Sequence, residues 1–109
     1  MNFKDRLKEA LMVTEAINKT KVKIGMKIGQ TVEDYADEKG KVVAISDNYK
    51  DLKKWDESGI GEEGVKELEQ EGMKVGVDFT NVAATFPDGS SAVYQVTKGS
   101  KYLGEKKNG

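Results

Sequence analysis

The densest group of side chains able to do chemistry is Glu33, Asp34, Asp37 and Glu38, gathered around Tyr35. Carboxylates this close together can hold a hard cation, or divide into a general acid and a general base. Their order lacks the oxygen-ligand spacing and the glycine of an EF-hand loop. A glycosidase-type pair needs two carboxyl groups opposed across a cleft, which one loop does not supply. The run is therefore expected to be a solvated acidic loop that binds no metal. The chain has no His and no Cys. Ser-His, Cys-His and histidine- or thiolate-zinc constellations are thereby excluded, leaving carboxylates, Lys, Tyr and hydroxyls. The expectation is a protein with no catalytic residue and no cofactor, not an enzyme.

Three further patterns bear on binding. Gly59-Ile60-Gly61-Glu62-Glu63-Gly64 spells G-x-G-x-x-G, but no strand precedes it and two glutamates stand where a phosphate needs positive potential. A nucleotide-binding reading is rejected. Lys19, Lys21, Lys23 and Lys27 form a run without an acid, whereas nine acids and four lysines lie between Asp47 and Gly72, so a formal net charge of −1 conceals strong segregation. Tyr49, Leu52 and Trp55 recur at spacing three, which places them on one side of a short helix or turn, with Trp55 either capping the core or anchoring a partner.

These residues need elements to position them. Phe3, Leu7, Ala10, Leu11, Thr14 and Ile17 recur at helical spacing, and Asn2 can cap the start, so residues 1–18 read as an amphipathic helix. From Thr20 to Gly29, Val22, Ile24, Met26 and Ile28 alternate with Lys21, Lys23, Gly25 and Lys27, the signature of a half-buried strand with its lysines in solvent. Gln30 to Lys39 reads as a loop, and Lys41 to Ser46 as a strand buried on both faces. A short helix is expected from Glu62 to Glu71, stopped by Gly72. Met73, Val75, Val77 and Phe79 alternate as a strand-like approach to a hairpin, Phe79 to Val96, whose turn is Pro87-Asp88-Gly89-Ser90. Composition, at 37% hydrophobic and 34% charged residues, fits a single folded domain with a thin core. That domain is expected over residues 1–103, with the helix at 1–18, the sheet at 20–97, an insertion at 47–72, and a flexible tail at 104–109. No apolar run approaches a membrane span, and the N-terminus is too charged for a signal-peptide core, so a cytoplasmic protein is expected.

Gly25 to Gly29, Lys39 to Val43 and Phe86 to Gly89 resemble the Gly-x-x-Val/Ile-Gly entry, the Lys-Gly-x-Val turn and strand, and the late Phe-x-Asp-Gly hairpin of small SH3-like barrels, including the KOW type. The resemblance covers about two thirds of the chain. It implies a bent antiparallel SH3-like sheet or barrel, from whose compact pattern the N-terminal helix and the 47–72 insertion depart. Taken with them, the expected fold is α+β, the N-terminal helix packed on that sheet and a helical insertion between its middle strands. In its small size, lack of Cys and His, split charge and added helix, the chain is also similar to small bacteriophage or mobile-element proteins that act by binding a host factor.

The functional expectation is a non-catalytic binding module. As a protein-binding adaptor or inhibitor it would use the acidic insertion, with Tyr49 and Trp55 as anchors and Glu62, Glu63 and Glu67 steering a basic partner. The alternative is a nucleic-acid-binding barrel that contacts phosphates through Lys19, Lys21, Lys23, Lys27 and Lys41, with Tyr35 or Tyr94 stacking on a base.

Overall fold

A computed structural model of the chain describes residues 18–34 and 36–104. Its elements in order are β1 (Asn18–Lys19), β2 (Thr31–Glu33), β3 (Lys39–Ser46), two 3-10 turns (Tyr49–Asp51 and Lys53–Trp55), α1 (Ile60–Gln70), β4 (Phe79–Thr85) and β5 (Ser91–Thr97). The sheet runs β1-β3-β4-β5, and β2 shares an edge of β3 with β1. The β1–β3 pair is parallel, and the others are antiparallel.

The strongest local signal is the β4–β5 hairpin. Gly89 adopts φ 88°, and the Asp88 carboxylate accepts from both the amide and the hydroxyl of Ser90 at 2.9 and 2.6 Å. A side-chain-bonded turn with one left-handed glycine sets the register of seven facing pairs, from Thr85 opposite Ser91 to Phe79 opposite Thr97.

Both faces of the central strands are buried, by different means. On one face Met26, Val32, Val42, Ile45, Val82, Ala84, Val96 and Leu103 make an apolar cluster, with Ile24, Ile28, Phe86 and Tyr94 packed against it. On the other, Ala44, Leu52, Ala83 and Val93 are joined by Val43, Tyr49 and Trp55. A bulge in β3 serves both: pairing slips between Val42 and Ala44, so that Val42 and Ile45, three residues apart, share one face while Ala44 serves the other. The sheet is thus a middle layer. Helix α1 and the 3-10 turns cover one side, and the segments 20–30 and 98–104 cover the other.

Several expectations are corrected. The expected N-terminal helix falls on residues 1–17, outside the described residues, and its last residue, Asn18, is already in β1. The sole α-helix among the described residues is mid-chain α1, and the sheet is open and mixed, which overturns an N-terminal helix packed on a bent antiparallel SH3-like sheet or barrel. Thr20 to Gly29 is irregular, although Val22 and Met26 still point inward. The alternation records side-chain direction alone. The backbone bonds of this segment go to Val42, Gly99 and Ser100 rather than to one ladder. Within the expected acidic loop, Thr31–Glu33 pairs with Lys39–Lys41 as β2. Ahead of β4 there is a turn rather than a strand, because Gly76 takes φ 83° and the Val77 and Asp78 amides both donate to the Lys74 carbonyl. Val77 is consequently 59% exposed.

Candidate binding surfaces

Helix α1 is closely specified at both ends. Gly59, at φ 80°, has no side chain with which to cap it. Asp56, three residues earlier, supplies the cap: its carboxylate accepts from the Gly61 and Glu62 amides, each at 3.1 Å, and from the Tyr49 hydroxyl at 2.5 Å. Burial, the hydrogen bond to Asp56 and the nearby negative charges of Asp56 and Glu62 push the Tyr49 phenol well above its ordinary range. The amides that a G-x-G-x-x-G turn would offer to a phosphate are therefore already held by a carboxylate. At the other end Gly72 adopts φ 89°, and the Met73 and Gly72 amides return to the Leu68 and Glu69 carbonyls at 3.0 Å each, a Schellman closure.

The helix lies on β5 through its glycines. A Cβ at Gly61 would meet the Val93 Cβ at 2.8 Å and the Val93 carbonyl at 2.9 Å, and a Cβ at Gly64 would run into Gln95 Oε1. Gln95 fills this seam. Its Nε2 donates to the Gly61 carbonyl at 2.9 Å and to Asn81 Oδ1 at 3.0 Å, while Asn81 Nδ2 donates to the Ser46 carbonyl at 3.2 Å. Both residues are buried, so the helix is joined to the sheet by a satisfied polar chain.

This close approach leaves a groove of about 260 Å3 between α1 and β5. Two helical stripes form its side: Ile60, Gly64 and Leu68 along the floor, and Glu63, Glu67 and Glu71 along the rim, each at intervals of four residues. Val93, Tyr94 and Gln95 of β5, together with Gly104, complete it. Ile60 is 63% exposed. The groove is below the roughly 300–1,000 Å3 of small-molecule sites and suits one or two inserted side chains.

The other residues read from the sequence fall in separate places. Glu62, Glu63 and Glu67 are exposed, with Glu63 and Glu67 on the groove. Tyr49 and Trp55 are half-buried against the helix-side core. The Lys54 ammonium lies 4.4 Å from the Trp55 ring centroid, and the Trp55 carbonyl accepts from the Ser91 hydroxyl at 3.0 Å. These two aromatics brace the start of α1 more than they offer an open anchor. Lys19, Lys21, Lys23, Lys27 and Lys41 are all exposed, and Tyr35 is outside the described residues. Tyr94 is half-buried, 6.5 Å edge-on from Phe86, and its hydroxyl donates to Asp34 at 3.1 Å; this ring is packed in the core rather than presented for stacking.

Within the acidic loop Asp34 is buried and accepts the Ala36 and Glu38 amides at 2.9 Å each. It organises the turn, and among the described residues no group of three or more potential ligands is placed to hold a metal ion. Also among the described residues, no helix is long and apolar enough to cross a membrane.

The sequence reading missed Ile60, Gly64 and Glu71 on the groove, although their four-residue spacing was present to be read. It also missed Lys98 and Lys101, whose place beside the earlier lysines has no signal in the sequence. Comparison with protein-family models, curated proteins and solved structures finds no match to this chain.

Proposed function

We propose that the protein is a non-catalytic binding module whose groove between α1 and β5 takes a basic segment of a partner protein. The observation that carries this reading is the pair of parallel stripes, an Ile-Gly-Leu floor beneath a rim of three glutamates. Such a groove suits an apolar side chain seated against Ile60 and Leu68, with Lys or Arg side chains reaching the rim.

The helix carries these charges at a cost. Like charges four residues apart repel, and Glu69 and Glu71 lie at the negative end of the helix dipole, with no basic residue in the last turn. A cationic ligand would relieve both terms. Glu62 lies off the groove and steers approach, and Tyr49 and Trp55 hold the helix at its working angle.

The test is fluorescence anisotropy with two labelled peptides, one alternating Lys and Leu, the other alternating Glu and Leu. The basic peptide should bind, and the combined E63Q, E67Q and E71Q variant should weaken it about tenfold or more, equivalent to about 1.4 kcal/mol. The substitutions remove repulsion and leave the helix intact. Equal binding of both peptides, or unchanged binding by the triple variant, would sink the proposal.

A further inference from the structure

On the side of the sheet away from α1, backbone hydrogen bonds bring together lysines that are distant in sequence. The Gly99 amide donates to the Lys23 carbonyl at 2.8 Å, and the Gly25 amide to the Ser100 carbonyl at 2.7 Å. The approach is so close that a Cβ at Gly25 would stand 2.9 Å from the Lys101 Cβ. These contacts interlock residues 23–25 with 99–101 and set the Lys98–Lys101 turn beside the earlier lysine run. Lys21, Lys23, Lys27, Lys98 and Lys101 are all exposed, whereas Val22 and Met26 are buried, and Ile24 and Ile28 pack on the core. The inward apolar residues aim the lysines outward.

We propose that Lys21, Lys23, Lys27, Lys98 and Lys101 form a docking surface for the phosphate backbone of a nucleic acid. The proposal is independent of the groove reading. Of the nearby acids, Asp47 and Asp78 are engaged by hydrogen bonds, while Glu33, Asp37 and Glu38 are exposed on the turn that the Asp34–Leu103 bridge joins to segment 98–104, and they bound the lysine surface on that side. Asp47, beside Lys21, accepts from the Thr20 and Thr80 hydroxyls at 2.7 Å each and from the Lys21 amide at 3.0 Å. The Asp78 carboxylate accepts from the Lys74 amide at 2.7 Å.

Two features favour a polyphosphate over the other anionic partners. The five lysines come from two segments, 21–27 and 98–101, that backbone bonds hold side by side, so the charge is spread over both and suits a ligand with repeated anionic groups rather than a single anion. The lysine-bearing segments expose no large apolar side chain except Tyr102 at the rim, while a membrane-surface binder needs an apolar face to insert. With the glutamates of α1 on the opposite layer, the charge segregation would favour approach of a polyanion on the lysine side. Compared with the sequence-based alternative, the surface gains Lys98 and Lys101 and does not depend on Tyr94, which lies in the core.

The test is anisotropy of the full chain with a fluorescein-labelled 20-nucleotide oligothymidylate at two salt concentrations. Five phosphate contacts predict a slope of log K against log salt of about −3.5, hence roughly a hundredfold loss between 50 and 200 mM salt. K98E with K101E, and separately K23E with K27E, should each weaken binding at least tenfold, with the matching Arg variants retaining it. K41E, an exposed lysine of β3 that carries the same charge change, should have little effect. An absence of binding at 50 mM salt overturns the proposal, as does an equal loss for K41E. So does equal or tighter binding to polyglutamate, or to vesicles containing phosphatidylserine, since the surface would then serve an acidic protein or a membrane.

Discussion

The two layers that cover the sheet are built on opposite principles. Helix α1 meets β5 through glycines and a buried polar chain running from Gly61 through Gln95 to Asn81. The lysine-bearing layer instead meets the middle of the sheet through Met26, Ile24, Ile28 and Leu103, an apolar contact. Its directional bonds lie at the two ends of segment 20–30, where Gly29 and Gln30 bond Val42 and where Thr20 and the Lys21 amide bond Asp47. A polar seam fixes one docking geometry because an unmade hydrogen bond costs more than a made one gains. An apolar seam is stabilised by area and tolerates small shifts. The difference teaches that the helix is set on the sheet by hydrogen bonds within its buried seam, whereas the middle of the lysine layer is set by the packing of its inward residues between hydrogen bonds at its ends.

The largest effect should come from the apolar seam. Met26→Ala leaves a cavity beneath the lysine layer and should cost about 3 kcal/mol, read as a lowered urea midpoint. On the opposite seam Asn81→Leu keeps the branched heavy-atom skeleton but strips a partner from Gln95 and from the Ser46 carbonyl. It should cost about 2–3 kcal/mol, where an apolar seam would have tolerated the exchange. If Asn81→Leu is neutral, the contrast between the layers fails.

Gly64→Ala separates helix propensity from packing. In an open helix the change should stabilise by up to about 1 kcal/mol. Here the new methyl meets Gln95, and a net loss of about 2 kcal/mol is expected in thermal unfolding. Smaller still, Asp56→Ala removes the cap from α1 and should cost about 1 kcal/mol. Amide exchange should quicken in α1 while residues 23–25 and 99–101 keep their protection.

The layers should also fail at opposite ends of the pH scale. Partial burial pushes Asp47 up, but hydrogen bonds from Thr20 and Thr80, the Lys21 amide and the Lys21 charge outweigh it and hold the carboxyl below its ordinary range. Its contribution is therefore present above the unfolded value of about 3.9 and is lost as pH falls through the lower folded value. Tyr49 is raised. Its contribution is complete below the unfolded value of about 10 and is lost as pH rises through the folded one. Asp47→Asn should flatten the acid limb of a plot of urea midpoint against pH, and Tyr49→Phe the alkaline limb. A variant that flattens the wrong limb would show that the layers are not anchored separately.

Much of the local structure was legible. Pro87-Asp88-Gly89-Ser90 specifies its turn, and the alternation on either side specifies the hairpin, because turn and pattern agree. Gly72 marks the end of α1 for the same reason: a left-handed residue closing the last turn is a local requirement. The helix stripes of 60, 64, 68 and 63, 67, 71 were also open to reading, yet a glycine carries no hydrophobic signal, and the role of Gly64 emerges only with Gln95 opposite. The alternation from Thr20 to Gly29 misled because direction of side chains and pairing of backbone are separate properties. The former is set by the local chain, and the latter by partners some seventy residues away, Gly99 and Ser100.

By itself the sequence determined the segregated charges, the absence of His and Cys, the hairpin, and the inward or outward sense of most side chains, since each follows from residue type or from local backbone geometry. Tertiary structure alone decided that the sheet is open and mixed, that β3 uses a bulge to feed two cores, that Asp56 occupies the start of α1, and that Lys98 and Lys101 stand beside Lys23. All of these depend on contacts between distant segments, whose free energy comes from joint burial and long-range hydrogen bonds that no single stretch of chain carries.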